Sequence, residues 1–416
     1  MNAADTAWVL ISAALVLFMT PGLALFYGGM VRSKNVLSVM MLSFICIGIV
    51  TVIWAVFGFS LAFGNDIGGG ILGNLHLAGL EHLGRALPGL GRVAVSPLAI
   101  MIFQMMFAVI TAALISGGVV DRVRFTGFVA FIALWVVLVY VPLAHWVFSP
   151  GGWLAQRGVL DFAGGTVVEI NSGFSTLAIV LVLGRRQGWP SEGMAPHSVP
   201  ISLLGAGILW FGWFGFNAGS ALAPDGVAVH AFVNTQLAAA AGLLAWIIFE
   251  RATERYPTTL GAASGAVAGM VAITPCAGFV APMAALLIGA VAGCACALAV
   301  RLKFKFRYDD SLDVLGVHGV GGLIGMILLG CFATKSVNPS GANGLLTGGG
   351  FHFFAVELLA TGVAVVFCFG VTWLIAKAVD LTIGLRVSPE HEFQGLDLAQ
   401  HAESAYSMGG TGRIGS

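Results

Sequence analysis

Residues 97–120 read PLAIMIFQMMFAVITAALISGGVV, a run from Pro97 to Val120 that carries no charge. Roughly 20 apolar residues cross the hydrocarbon core of a bilayer as a helix. No charged side chain interrupts this run, so it reads as a membrane span. Working outward, ten further runs of the same kind emerge between polar breaks. The eleven lie at about 8–31, 36–63, 97–120, 126–148, 164–184, 198–222, 230–250, 259–276, 279–302, 314–333 and 353–378. Between the eighth and ninth, Pro275 to Pro282 reads as a tight turn, although it is apolar. The fold class expected is an all-α polytopic membrane protein with eleven transmembrane helices.

Composition agrees. Of 416 residues, 58% are hydrophobic and 9% charged, with a mean hydropathy of +0.96. Soluble domains carry roughly 25% charged residues, so a soluble protein and a disordered chain are both excluded. The 19 basic and 19 acidic residues cancel, which leaves no basic field for nucleic acid. Glycine, at 58 residues, is about twice its usual ~7% share. Small residues let helices approach closely in lipid.

Lys and Arg set the orientation. With the N-terminus outside, fifteen of them fall on inner loops and the tail, among them Arg32, Lys34, Arg122, Arg186, Lys303, Arg386 and Arg413. Only Arg85, Arg92, Arg157 and Lys335 fall outside. The expected topology is therefore N-out and C-in. Residues 1–379 form the transmembrane domain and 380–416 an inner tail, whose end, Met408 to Ser416, reads as disordered. Residues 64–96 form the longest outer loop.

Spans five and ten resemble each other. Val167-Val168-Glu169-Ile170-Asn171-Ser172-Gly173 aligns with Gly316-Val317-His318-Gly319-Val320-Gly321-Gly322. Each has an acid before it, read as Asp161 and Asp313. Five spans apart, they cross in opposite directions. A 5+5 inverted repeat plus one extra helix follows, and such repeats place a substrate path at their interface. Ionisable residues inside spans are costly and mark function. Glu169 and His318 qualify, and as a pair they share a proton or line a polar path. Asp161 reads as a helix N-cap, with direct cation binding as the other reading. Glu357 reads as a structural hydrogen bond between helices. Glu250, at an inner end, is expected to reach water.

Aromatic residues cluster at outer ends. Phe103 and Phe107 share a helix face. Trp146, Phe148 and Trp153 end the fourth span; Trp210, Trp213, Phe214 and Phe216 precede Ser220 in the sixth. They fit an interfacial belt or a cage that attracts a small cation. No nucleophile–base set, phosphate loop or metal cluster appears, so neither an enzyme nor a metal or cofactor site is read.

Several strings carry a resemblance. They are Thr20-Pro-Gly-Leu-Ala-Leu-Phe-Tyr-Gly-Gly29, Asp161-Phe-Ala-Gly-Gly-Thr-Val-Val168, Trp213-Phe-Gly-Phe-Asn-Ala-Gly-Ser220, Ala231-Phe-Val-Asn-Thr235 and Asp313-Val-Leu-Gly-Val-His-Gly-Val320. Gly384-Leu-Arg-Val387 and Gly395-Leu-Asp397 add to them. From about Asp5 to Tyr406 the chain resembles ammonium transporters of the Amt/Mep/Rh family, nearer the bacterial Amt branch. The resemblance implies a homotrimer in the bacterial cytoplasmic membrane with one pore per protomer. It implies ammonium, and methylammonium as a candidate, as the transported species. The outer recruitment site maps to Phe103, Phe107, Phe148 and Ser220, supported by Asp161. A two-ring gate maps to Phe107 and Phe216, with Trp213 below. The paired pore histidines map to position 169 and His318. It further implies a PII signalling protein as a partner at the inner face.

Two positions depart from that pattern. Glu169 stands where the first pore histidine is expected, and Phe148 where the family usually has Trp. The first makes the expected relay Glu169–His318, whose protonation steps are coupled. The second weakens cation–π attraction at the outer site. Two other functions are weighed. One is an ammonium sensor signalling through its tail, for which a signalling domain after the last span is expected and not seen. The other is an Rh-like channel for ammonia or carbon dioxide.

Overall fold

The computed structural model describes residues 2–84, 86–87, 91–92 and 94–406. Arg85, Arg413 and the Met408–Ser416 end lie outside the described residues. Among the described residues the regular structure is helical apart from a short ladder, Ala86–Leu87 with Gly91–Arg92, and two single bridges.

Ten helices are long and apolar enough to cross a bilayer. They are Ala3–Met30, Ser33–Phe63, Pro97–Val119, Phe125–Phe148, Gly165–Leu183, Val199–Gly219, Gly226–Thr253, Pro282–Phe306, Leu315–Phe332 and Phe351–Thr382. Each coincides with an expected span to within several residues. The expected eighth span is the shorter helix Thr259–Ile273. At 15 residues it rises about 22 Å, less than a full hydrocarbon core. The chain stays buried beyond it, from Thr274 to Val280, before Pro282 starts the next helix. Side chains satisfy this apolar turn. Asn234 Nδ2 donates to the carbonyls of Ala277 and Val280, both at 2.8 Å. In return the turn's Cys276 Sγ donates to Gly325 O on the tenth helix at 3.2 Å. A buried backbone needs such partners, which is why a loop here is free to be apolar.

Helix starts follow ordinary capping chemistry. Asp225 accepts from Val227 N and Ala228 N at 2.9 and 3.0 Å, and Thr258 accepts from Gly261 N at 2.9 Å. Glu250 does not reach water as expected. It is buried and clasps the start of the shorter helix, taking Thr258 N at 2.7 Å, Thr258 Oγ1 at 3.0 Å and Trp246 Nε1 at 3.1 Å. Small residues set the packing. The first and sixth helices meet so closely that a Cβ on Gly205 runs into the Phe26 and Gly22 backbone.

One end of the bundle gathers basic loops and the tail. Lys34 donates to Phe393 O, Arg124 to Ile383 O and Arg386 to Leu183 O. The last long helix runs to Thr382, a few residues past 379. Two short helices, Pro389–Gln394 and Leu396–His401, follow. Asp397 accepts from Leu37 N and Ser38 N at 3.1 and 2.7 Å, so the tail caps the start of the second helix.

Candidate functional site

The fifth and tenth helices each open on one wide π-helical turn, Gly165–Ile170 and Leu315–Gly319. Such turns are frequent at functional sites. These hold Glu169 and His318, which are 149 residues apart. Their backbones meet beside the pair: a Cβ on Gly173 strikes Gly319, and one on Gly322 lies 3.0 Å from Ile170 N. The same spacing relates Gly173 to Gly322 and Ile170 to Gly319, so the two contacts are symmetry mates. His318 Nδ1 lies 2.8 Å from Glu169 Oε2, and both residues are buried.

Above the pair is a narrow slot of ≈ 10 Å³, room for about one water-sized molecule. Leu23, Leu114, Val168, Trp213 and Phe216 are among its mostly apolar walls, with Glu169 and His318 as its ionisable members. The Phe107 and Phe216 rings stack with centroids 4.2 Å apart and planes at 19°. Phe103 meets Phe107 edge-on at 4.8 Å, and Trp213 leans on Phe216 at 5.7 Å, its Nε1 held by Thr274 Oγ1 at 2.9 Å. A second, wider cavity of ≈ 570 Å³ is lined by Phe148, Asp161, Phe162, Ser220, Asp225 and Asn338 among others. Ser220 Oγ donates to Phe216 O at 2.8 Å, so the hydroxyl's lone pairs remain to accept from a visitor.

The other aromatic residues divide. Trp146 bonds Ile71 O at 2.8 Å and packs on Trp153 and Phe367. Trp210 bonds Gln236, and Phe214 stacks on Phe232 at 4.0 Å. Only the Trp213–Phe216 side of that cluster faces the slot. Asp161 is a cap: Oδ1 takes Gly164 N and Gly165 N at 2.8 and 2.6 Å, and Oδ2 takes Thr166 N and Oγ1 at 2.8 and 2.5 Å. Glu357 Oε1 accepts from Leu160 N at 2.7 Å, holding the loop before Asp161 rather than another helix.

The acid matched to Asp161 is Asp310, not Asp313. The 149-residue spacing carries Asp161 to Asp310, and Asp310 Oδ2 accepts from Leu315 N at 2.7 Å, capping the tenth helix. Asp313 takes the place of Gly164. Both have left-handed backbones, φ 64° and 118°, and Asp313 instead pairs with Lys303 Nζ at 2.6 Å. The nearest preceding acid was the wrong guide; the repeat's own register identifies the right one.

Sequence reading also missed the charge cluster beneath. Arg186 grips Asp309 with Nη2–Oδ1 at 2.8 Å and Nε–Oδ2 at 3.0 Å. It also reaches Asp121 at 3.2 Å, as Arg32 does at 3.3 Å. Arg122 donates to Asp309 O at 2.6 Å and Gly184 O at 2.8 Å. Burial pushes the Asp309 carboxyl up, but the Arg186 and Arg122 guanidinium groups outweigh it and hold it below the usual range. For Asp310, burial and then Asp313 push the carboxyl up to about 6.

Fold and site together define a multi-pass membrane protein with a tight, mostly apolar path closed by stacked rings and floored by an acid–imidazole pair. The Ammonium Transporter Family model matches residues 7–406. The ammonium transporter of Bacillus subtilis (strain 168) is 50% identical over 407 residues, 98% of this chain and 99% of that one. Ammonium transporter Amt1 of Archaeoglobus fulgidus is 44% identical over 98% of this chain and 100% of that one. The crystal structure of Saccharomyces cerevisiae Mep2 superposes with a TM-score of 0.87 at 34% identity, over 94% of this chain and 88% of that one. The chain belongs to the ammonium transporter family, and it is a multi-pass protein of the cytoplasmic membrane.

Proposed function

We propose that the chain moves ammonium or ammonia across the membrane, with Glu169 and His318 relaying the proton. The observation that carries this reading is their 2.8 Å contact at the floor of the slot beneath the Phe107–Phe216 lid. The wider cavity is the recruitment site. There the Phe148 face and the Ser220 hydroxyl replace part of the ion's hydration, with Phe103 and Phe107 beneath. Potassium donates no hydrogen bonds, so acceptor geometry favours ammonium. A bare ion in the apolar slot costs several kcal/mol, whereas neutral ammonia crosses easily. Deprotonation near the gate sends ammonia down the slot and leaves the proton to the pair.

The same reading sets the chain N-out and C-in with eleven crossings, as a 5+5 inverted repeat plus one helix. Residues 1–379 are the transporting domain and 380–416 the tail. The protomers form a trimer, and a PII protein docks on the tail-bearing face. The chain is not an enzyme. The test is current on an ammonium jump in proteoliposomes of purified protein. Ammonium drives current and potassium does not; equal potassium current overturns the reading. A pull-down with the cognate PII protein, with and without nucleotide effectors, tests the partner, and no binding in any condition refutes it.

A sensing role is the second reading. A solved protein described as a sensor Amt protein superposes with a TM-score of 0.87 at 30% identity, over 95% of this chain and 98% of that one. It calls for a transport-dead variant that still triggers the cell's response to ammonium.

A further inference from the structure

Asp161 and Asp310 occupy the same place in the two halves, yet their carboxylates are not equally occupied. Asp161 receives four donors, one of them the Thr166 hydroxyl. The position matching Thr166 is Leu315, which has no hydroxyl to give. Asp310 Oδ2 is taken by Leu315 N, while Oδ1 is buried and has no partner. Asp310 Oδ1 lies against Gly118, where the Thr176 methyl also packs, and the Thr176 hydroxyl is itself buried and unpaired. A buried, unpaired carboxylate oxygen is a group that an ordered water satisfies.

We infer that Asp310 is the proton station on the tail side of the Glu169–His318 pair, taking the proton from the pair through water and passing it to the polar cavity beyond. This rests on the transport reading above. The cap places the carboxylate at Leu315, three residues before His318 on the same π-helical turn. Tyr27 packs on Gly117, next to the Gly118 against which Asp310 Oδ1 lies. On the far side, a cavity of ≈ 260 Å³ is lined by Ser311, the residue after Asp310, with Arg32, Asp121, Arg186, Glu192 and Lys303. The step is one of proton transfer alone. An imidazolium or carboxylic acid at the pair loses H⁺, the Asp310 carboxylate gains it, and the cavity water removes it.

Groups facing Asp310 come from several elements. Lys303 donates to the Asp310 carbonyl at 3.1 Å and pairs with Asp313 at 2.6 Å; Tyr27 stands at Gly117, and Tyr308 is two residues before Asp310. Burial among them, with Asp313 adding to it, places the carboxyl at about 6, where it both accepts and releases protons near neutrality.

The experiment records ammonium-evoked current in oriented proteoliposomes at fixed outer pH, with tail-side pH stepped through 6. The parent current falls as tail-side pH drops below about 6 and the station fills. Asp310→Asn keeps a cap acceptor but no titrating group. It is expected to lose current roughly tenfold and to lose the tail-side pH step, while Asp310→Glu restores current with a shifted step. A parent without that step overturns the inference, and so does Asp310→Asn with parental current or a parental step. The parent measurement stands even where a variant fails to fold. If the parent carries no ammonium current at all, the transport reading fails first; if it carries current indifferent to these tests, only the Asp310 role fails.

Discussion

His318 Nδ1 and Glu169 Oε2 stand 2.8 Å apart where the fifth and tenth helices touch backbone to backbone through Gly173 and Gly319. The approach is fixed by two glycines, so the pair is built into the crossing point rather than carried on mobile side chains. A carboxylate facing a ring nitrogen defines a donor and an acceptor, and the proton between them is shared. Two imidazoles in the same place repel as soon as both are charged, whereas an acid and an imidazole attract.

Replacing Glu169 by Gln keeps the shape and removes the titrating carboxyl. The amide still hydrogen-bonds His318 but carries no exchangeable acid proton, so the relay loses one station. Ammonium-evoked current is expected to fall at least about tenfold in Glu169→Gln. In Glu169→His the current persists with a displaced pH profile. Recording both across pH checks this; if both match the parent in rate and profile, the relay is wrong.

The stacked lid makes a separate prediction. Truncating Phe107 to Ala removes a buried ring that packs on Phe103 and Phe216. The stability cost is about 3–5 kcal/mol, read as a lower melting temperature. The opened slot admits hydrated ions, so a potassium current absent from the parent appears. An unchanged potassium blank with normal ammonium current means that the rings do not select.

What was legible in the sequence depended on how far apart the interacting residues lie. Spans are local: a run such as 97–120 declares itself through the absence of charge, and helix Pro97–Val119 forms there. The Glu169–His318 pair was legible because the repeat aligns them, and Phe107 with Phe216 because the two-ring gate implied by the resemblance maps onto them. Asp310 was passed over because Asp313 stands nearer the helix. Arg186, Asp309 and Asp121 come from three separate loops, and no local spacing announces such a cluster. The buried turn at Thr274–Val280 looks like a membrane segment, because Asn234 supplies its hydrogen bonds from another helix.

Asp161 gathers three backbone N–H groups and one hydroxyl, so its main effect is on the fold of the fifth helix. Asp161→Ala strands these donors and costs about 2 kcal/mol or more, seen as reduced yield and melting temperature together with lost current. Asp161→Asn retains acceptors and is milder. If Asp161→Ala melts like the parent and only current is lost, the residue binds the cation directly and the capping account fails.

Stability against pH separates the two neighbouring acids. Asp310 holds its proton up to about 6 in the fold, against about 3.9 when unfolded. The folded state therefore binds more protons between those values, and stability falls as pH rises through them, by up to about 3 kcal/mol. Asp309 is depressed, so its contribution is present above about 4 and is lost on further acidification. Melting temperature is expected to rise as pH is lowered from 7 towards 5 and to drop below 4. Asp310→Asn removes the rise and keeps the drop; Asp309→Asn lowers stability at neutral pH and flattens the drop. A melting temperature that only declines from pH 7 downward, in parent and Asp310→Asn alike, means that Asp310 is already ionised in the fold.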